Sequence, residues 1–412
     1  MKKQTEINNT EKAGWLLLIG IVLIGANLRV PITSVGTLMS FIREDLSISN
    51  AVAGLVTTLP LIAFAILSPF APKIANRIGM QWTIALSMVV LIIGIAIRSV
   101  TGIGFLFIGT LLIGLAISIG NVLIPGIIKM NFPYRIGVMT GIYAVFMNIF
   151  GALGSGLSVP ISGIGDMGWQ GALGIWGLLA IVAFVVWLPQ LRKQQRASPK
   201  TTIKPKQKTK LWRSPLAWSV TLFMGGQSLM FYTLIAWMPD ILSTIGYDAR
   251  SAGWMVFLMQ AAIIPTTFVV PVIAVKLKNQ VGFAIGTALL FMTGFSGLLF
   301  GSAMLVPLCA VLLGIAGGSG FSLSMVFFTL RTKDAKEAVE LSGMAQSFGY
   351  MLAAVGPVFA GVLYDIGGGW TLPLLFLLFI SMIILLAGIV SGKEGTIAER
   401  AKKSKKELAD SI

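Results

Sequence analysis

An apolar run long enough to cross a bilayer recurs twelve times along this chain of 412 residues. A crossing helix needs about 20 such residues. The runs fall at 14–40, 51–71, 82–99, 103–128, 137–160, 170–190, 215–239, 251–274, 281–301, 304–330, 340–364 and 370–391. Only 11% of the residues are charged, against roughly 25% in a soluble domain. With 56% hydrophobic residues and a mean hydropathy of +0.89, most of the surface must face lipid. The fold class is therefore all-α, a membrane protein of twelve transmembrane helices. The first run, Gly14 to Phe41, is too long for a signal-peptide core and is read as a retained span.

Lysine and arginine orient these spans. With the N-terminus in the cytoplasm, the inner segments hold 27 of the 31 basic residues. The outer segments keep Arg43, Arg98 and Arg250, and Arg29 lies inside the first span. This bias predicts both termini in the cytoplasm of a bacterial-type inner membrane. It also accounts for the net charge of +16 through topology and contact with anionic lipid, without nucleic acid. Histidine is absent and Cys309 is the single cysteine, so histidine-based triads, thiol metal sites and disulfides are excluded. No enzyme and no cofactor is expected.

The longest inner segment, 191–214, carries nine basic residues and no acid. It reads as a cytoplasmic linker between a six-helix bundle at 1–190 and a second at 215–391, with a charged tail at 392–412. An internal repeat supports the division. Gly25–Ala26–Asn27 matches Gly225–Gly226–Gln227, and Gly114, Ala116 and Gly120 match Gly314, Ala316 and Gly320, at an offset of 200. Ala53–Gly54 and Pro72 match Ala252–Gly253 and Pro271 at 199. Thr140–Gly141 and Gly154 match Ser342–Gly343 and Gly356 at 202. Six spans per copy make the repeat parallel, with its two halves related by an axis along the membrane normal. That arrangement puts a cavity near mid-membrane between the halves.

Arg29 is the sharpest chemical signal. A charge at mid-span costs about 2.5–3.5 kcal/mol on insertion scales. All fifteen acids lie in loops, tails or helix ends, so no carboxylate is at hand inside the spans. The planar guanidinium fork suits an anion, or a polarised nitro or carbonyl group. A purely structural role, through backbone carbonyls or a polar network, is the bland reading. Pro31 predicts a bend just beyond, because it cannot donate to the carbonyl of Asn27. Asn27 shares a face with Arg29 only if the helix bends. The other mid-span candidates for substrate contact are Asn121, Asn148, Gln227, Tyr232, Gln260, Gln346 and Tyr350. Interhelical hydrogen bonding is an equal reading of each one alone. The absence of embedded Asp, Glu and His argues against a built-in proton relay and favours facilitated passage, or a proton that moves on the substrate.

The string Asn27–Leu28–Arg29–Val30–Pro31–Ile32–Thr33–Ser34–Val35–Gly36 resembles the signature of the cyanate permease/2-nitroimidazole transporter (CynX/NimT) family of the major facilitator superfamily. Gly120–Asn121–Val122–Leu123–Ile124–Pro125 with Phe132–Pro133 is similar too, as are the shorter matches Gly141–Ile142–Tyr143, Gly168–Trp169, Trp237–Met238–Pro239 and Gly349–Tyr350. The resemblance implies alternating access, small anions or small polar heterocycles as substrates, and Arg29 as the central binding group. Two departures stand out. The superfamily's gating loop resembles GxxxDRxG, but here reads Pro72–Lys73–Ile74–Ala75–Asn76–Arg77–Ile78–Gly79, leaving Asn76 and Arg77 as the gating candidates. The antiporter-type Gly-Pro pair is missing from the fifth span, where Ala152 follows Gly151.

The leading expectation is a monomeric secondary transporter whose partners are a small anionic or polar solute and membrane lipid. The alternative is a multidrug/proton antiporter exporting lipophilic compounds, against which Arg29 argues on charge when those compounds are cations. A non-transporting sensor or assembly factor would need a soluble domain, and no loop or tail is long enough to supply one.

Overall fold

The computed structural model describes residues 2–48, 50–165, 167–194, 211–300 and 303–400. Most of the basic linker (195–210), Asp166 and the tail from 401 onward lie outside them, as do the side chains of Lys2, Lys3, Lys12 and Arg250. The described chain is helical throughout: α1 (Lys2–Asn27), α2 (Val30–Thr37), α3 (Met39–Leu46), α4 (Asn50–Leu67), α5 (Ala71–Ile78), α6 (Met80–Arg98), α7 (Ile103–Asn131), α8 (Ile136–Ser162), α9 (Gly168–Gly174), α10 (Trp176–Gln194), α11 (Pro215–Thr244), α12 (Ala249–Ala274), α13 (Val281–Phe300), α14 (Val306–Leu330), α15 (Ala335–Gly367) and α16 (Thr371–Gly392). Helices satisfy their own backbone polar groups, which lipid cannot do. Among the described residues, eleven spans are long and apolar enough to cross, or twelve when the bent pair Thr58–Leu67 and Ala71–Ile78 counts as one.

Proline sets the irregularities. The first span breaks at Leu28–Arg29, and α2 restarts with Pro31 in its first turn, where a missing N–H costs nothing. The second span was expected to run unbroken to residue 71. Instead α4 stops at Leu67 and α5 leaves at 54°. Pro69 lies in the break and cannot continue the hydrogen-bond ladder. The start of α15 carries a side-chain cap. The Asp334 carboxylate accepts from the Glu337 N–H at 2.9 Å, and Glu337 accepts from the Lys333 N–H at 2.7 Å.

The chain divides into two compact units, Met1–Ile124 with Ile142–Gln207, and Pro125–Gly141 with Lys208–Ile412. In the first unit α10 packs on α6 and α1, and one end is closed by an apolar cluster that includes Val35, Leu38, Leu106 and Trp169. In the second, α11 lies along α15 and α12 along α14.

The repeat is visible in what each glycine makes room for. A β-carbon on Gly114 would fall 2.8 Å from that of Ala63, and one on Gly314 would fall 2.9 Å from that of Ala262. One on Gly154 would meet the Thr33 hydroxyl at 2.8 Å, and one on Gly356 the Thr233 hydroxyl at 2.7 Å. The glycines and their partners are thus displaced by nearly the same number of residues. Both units close the same helix pairs with the same small residues, which let membrane helices approach closely.

Candidate functional site

In the first unit the site is built on the break in the first span. Arg29 precedes α2 and is half-buried. Gly151 of α8 lets its alkyl stem pass, since a β-carbon there would come within 2.7 Å of Arg29 Cγ. The Arg29 charge acts on Tyr143 of the same helix. The buried Tyr143 hydroxyl donates to Asn121 Oδ1 of α7 at 3.3 Å. Thr33, one turn past Arg29, donates to the Gly151 carbonyl at 2.8 Å. A cation, a phenol and an amide are thus linked through Tyr143, which feels the Arg29 charge and bonds Asn121. Asn148 is half-buried one turn before Gly151, its amide donating to Ala144 O at 2.8 Å. Asn27 turns elsewhere: its amide donates to Leu23 O and to Leu179 O of α10, at 2.8 and 3.2 Å, so it ties α1 to α10.

The second unit holds the remaining candidates. Gln346 of α15 is fully buried and donates to Ser342 Oγ at 2.8 Å. Gln227 of α11 is buried against Gly320 and donates to Ser228 Oγ at 2.8 Å. Tyr350 is buried on α15, and Tyr232 is half-buried with its ring edge-on to Phe231. Gln260 is exposed on α12. Buried amides that find partners within a turn hold helices as readily as they hold a ligand, and this describes Gln227.

Residues 17–354 match the Major Facilitator Superfamily. The chain belongs to the major facilitator superfamily. It is 40% identical to the 2-nitroimidazole transporter of Escherichia coli (strain K12), over 93% of this chain and 96% of that one. It is 26% identical to the cyanate transport protein CynX of the same strain, over 86% and 91%. These relatives bear out the resemblance carried by the first and fourth spans. The structure of the proton:xylose symporter XylE superposes with a TM-score of 0.72 at 12% identity, covering 93% of this chain and 95% of that one, which shows the shared fold. The chain is a multi-pass membrane transporter and not an enzyme.

Within this superfamily fold, the gating candidates Asn76 and Arg77 are exposed on the short helix α5. Arg77 occupies its last turn, where a cation complements the carbonyl end of the helix. Lys73 of the same helix lies over the Phe70 ring at 5.1 Å.

Three cations take positions that sequence reasoning did not foresee. Arg98, assigned to an outer loop, is instead buried at the end of α6 and donates to the Pro31 carbonyl at 2.6 Å, so Arg29 is not the only basic residue held inside the fold. Lys129, at the end of α7, donates to the carbonyls of Thr329 and Thr332 and, at 3.0 Å, to the Thr332 hydroxyl. It thereby caps the carbonyl end of α14. Arg331, just past α14, donates to Ser391 O at 2.7 Å, to Gly392 O at 3.1 Å and to the Gln280 side chain. Burial, with the nearby Arg400 charge, lowers its pKa to about 10 against the pull of Glu394, so it stays charged at neutral pH. Each signal lay in a cation abutting an apolar run, a pattern that topology alone also produces.

Proposed function

We propose that this chain carries a small anion, or a small nitro- or carboxyl-bearing polar compound, across the bacterial plasma membrane by alternating access, with Arg29 as the central binding group. The observation that carries this reading is the position of Arg29 at the break in the first span, set by Gly151 and grouped with Tyr143 and Asn121. A guanidinium in a low-dielectric setting binds an oxygen pair through two parallel N–H bonds, and a nitro or carboxylate group presents such a pair. The relatives named for 2-nitroimidazole and cyanate transport support small substrates of this kind. Asn121 and Asn148 are proposed as polar contacts beside Arg29, and Gln346 and Tyr350 as further candidates for substrate contact. The charge asymmetry of the loops supports placing both termini in the cytoplasm. Coupling is proposed to be uniport, or co-movement of a proton on the substrate, because no acid falls well inside any span.

Uptake of radiolabelled cyanate and 2-nitroimidazole into proteoliposomes tests the proposal. Arg29→Ala is expected to abolish uptake. Arg29→Lys keeps the charge but loses the fork, and is expected to retain a minor fraction. Wild-type uptake by both variants would remove Arg29 from the mechanism.

A further inference from the structure

In the second unit, α12 and α13 each run along α14 but hardly touch one another. The gap between them is a cleft of about 630 Å³. Ile315 and Ser319 of α14 line it, together with Thr266 and Val270 of α12 and Gly282 and Gly286 of α13. A β-carbon on either glycine would meet nothing within 4 Å. The two lie four residues apart, so one face of α13 presents bare backbone along a full turn. The hydroxyls of Thr266 and of the neighbouring Thr287 each donate to a carbonyl of their own helix at 2.8 Å. They therefore ask nothing of an occupant, and the walls offer chiefly apolar contact.

One end of the cleft is different. Lys278 and Asn279 border it there, both exposed, in the short connection from α12 to α13. Lys276 is exposed beside them, and the connection contains no acid. From Gly282 to Leu290, the last residue of α13 to line the cleft, is about 12 Å of helix at 1.5 Å per residue. That is less than half of a hydrocarbon core about 30 Å thick, so the cleft fits within one leaflet.

We propose that this cleft is a binding site for one anionic phospholipid. An acyl chain lies along Gly282 and Gly286, and the phosphate is held by Lys278 and Asn279. The geometry supplies the apolar slot and the connection supplies the charge. A cation near the membrane surface favours an anionic over a zwitterionic headgroup by about fivefold. The site lies wholly within the second unit and owes nothing to Arg29.

Native mass spectrometry of the purified full chain, offered phosphatidylglycerol or phosphatidylcholine at equal concentration, tests it. Wild type is expected to retain phosphatidylglycerol preferentially. Lys278→Gln, at an exposed position, is expected to weaken phosphatidylglycerol retention about fivefold and leave phosphatidylcholine unchanged. Gly286→Leu, and independently Gly282→Leu, fill the slot and are expected to reduce retention of both lipids. Equal retention of the two lipids by wild type would overturn the proposal. So would phosphatidylglycerol retention that is unchanged in Lys278→Gln and in both glycine variants. Loss in the glycine variants alone would overturn the headgroup assignment.

Discussion

Arg98 Nη1 donates to the backbone oxygen of Pro31 at 2.6 Å, joining positions 67 residues apart. Pro31 lies two residues beyond Arg29, so this bond fixes the start of α2. Nε and Nη2 of Arg98 are buried without hydrogen-bond partners among the described residues. A cation in a spanning helix costs about 2.5–3.5 kcal/mol, and one charge-assisted hydrogen bond returns about 1.5–3. Arg98 therefore contributes little net stability, and its effect is positional. Arg98→Met is expected to leave the melting temperature within a few degrees of wild type while lowering uptake about tenfold, the equivalent of ~1.4 kcal/mol. Parallel thermal unfolding and uptake assays check both halves of this expectation.

Gly151→Ala sets a β-carbon 2.7 Å from Arg29 Cγ and must push that side chain aside. Gly156→Ala, on the same helix, meets nothing within 4 Å. Uptake is expected to fall sharply in the first variant and to stay at wild-type level in the second, with equal expression of both. A helix-propensity effect would act alike on the two, so the contrast isolates the steric contact.

The two repeat-related threonines should respond differently to loss of their hydroxyls. Thr33 donates to Gly151 O at 2.8 Å, whereas the Thr233 hydroxyl is buried with no hydrogen-bond partner among the described residues. Thr33→Val is expected to destabilise by about 0.5–1.5 kcal/mol. Thr233→Val removes an unsatisfied polar atom at constant shape and is expected to be neutral or stabilising. Thermal unfolding of the pair in the same detergent gives the comparison.

The spans, the parallel repeat and the break at Arg29 were legible in the sequence, because lipid demands long apolar helices and Pro31 cannot complete one. The bend between α4 and α5 was not, since Pro69 reads equally as a helix end or a kink. Arg98 was misplaced for a related reason: an arginine closing an apolar run looks the same whether it turns outward to water or inward to a carbonyl. What turned it inward is the Pro31 oxygen, far away in sequence. Asn27 shows the same limit. Its spacing puts it on the Arg29 face only if the helix bends, and the group that draws its amide toward α10, the Leu179 carbonyl, is far away in sequence. Tyr143 stands out in the sequence only as part of a short motif, and the fold alone sets its hydroxyl beside Asn121.

Lys129 holds the carbonyl end of α14 through Thr329 and Thr332. Lys129→Met keeps the length and removes the charge, which at a helix C-terminus is worth about 0.3–1 kcal/mol, and up to ~2 when partly buried. Cys309 is the only cysteine, so Cys309→Ala gives a clean background for labelling. In that background, thiol labelling of Thr332→Cys is expected to accelerate several-fold when Lys129→Met is added. An unchanged labelling rate would mean that the cap carries no weight in holding this end of α14.

The interruption at Leu28–Arg29 gives the first span two separate moorings. Below it, α1 is fastened to α10 through Asn27. Above it, α2 is fastened to α6 through Pro31 and to α8 through Thr33. The arginine sits at the knuckle between them. A pull on its side chain is therefore applied where the two moorings meet, and not along an unbroken rod.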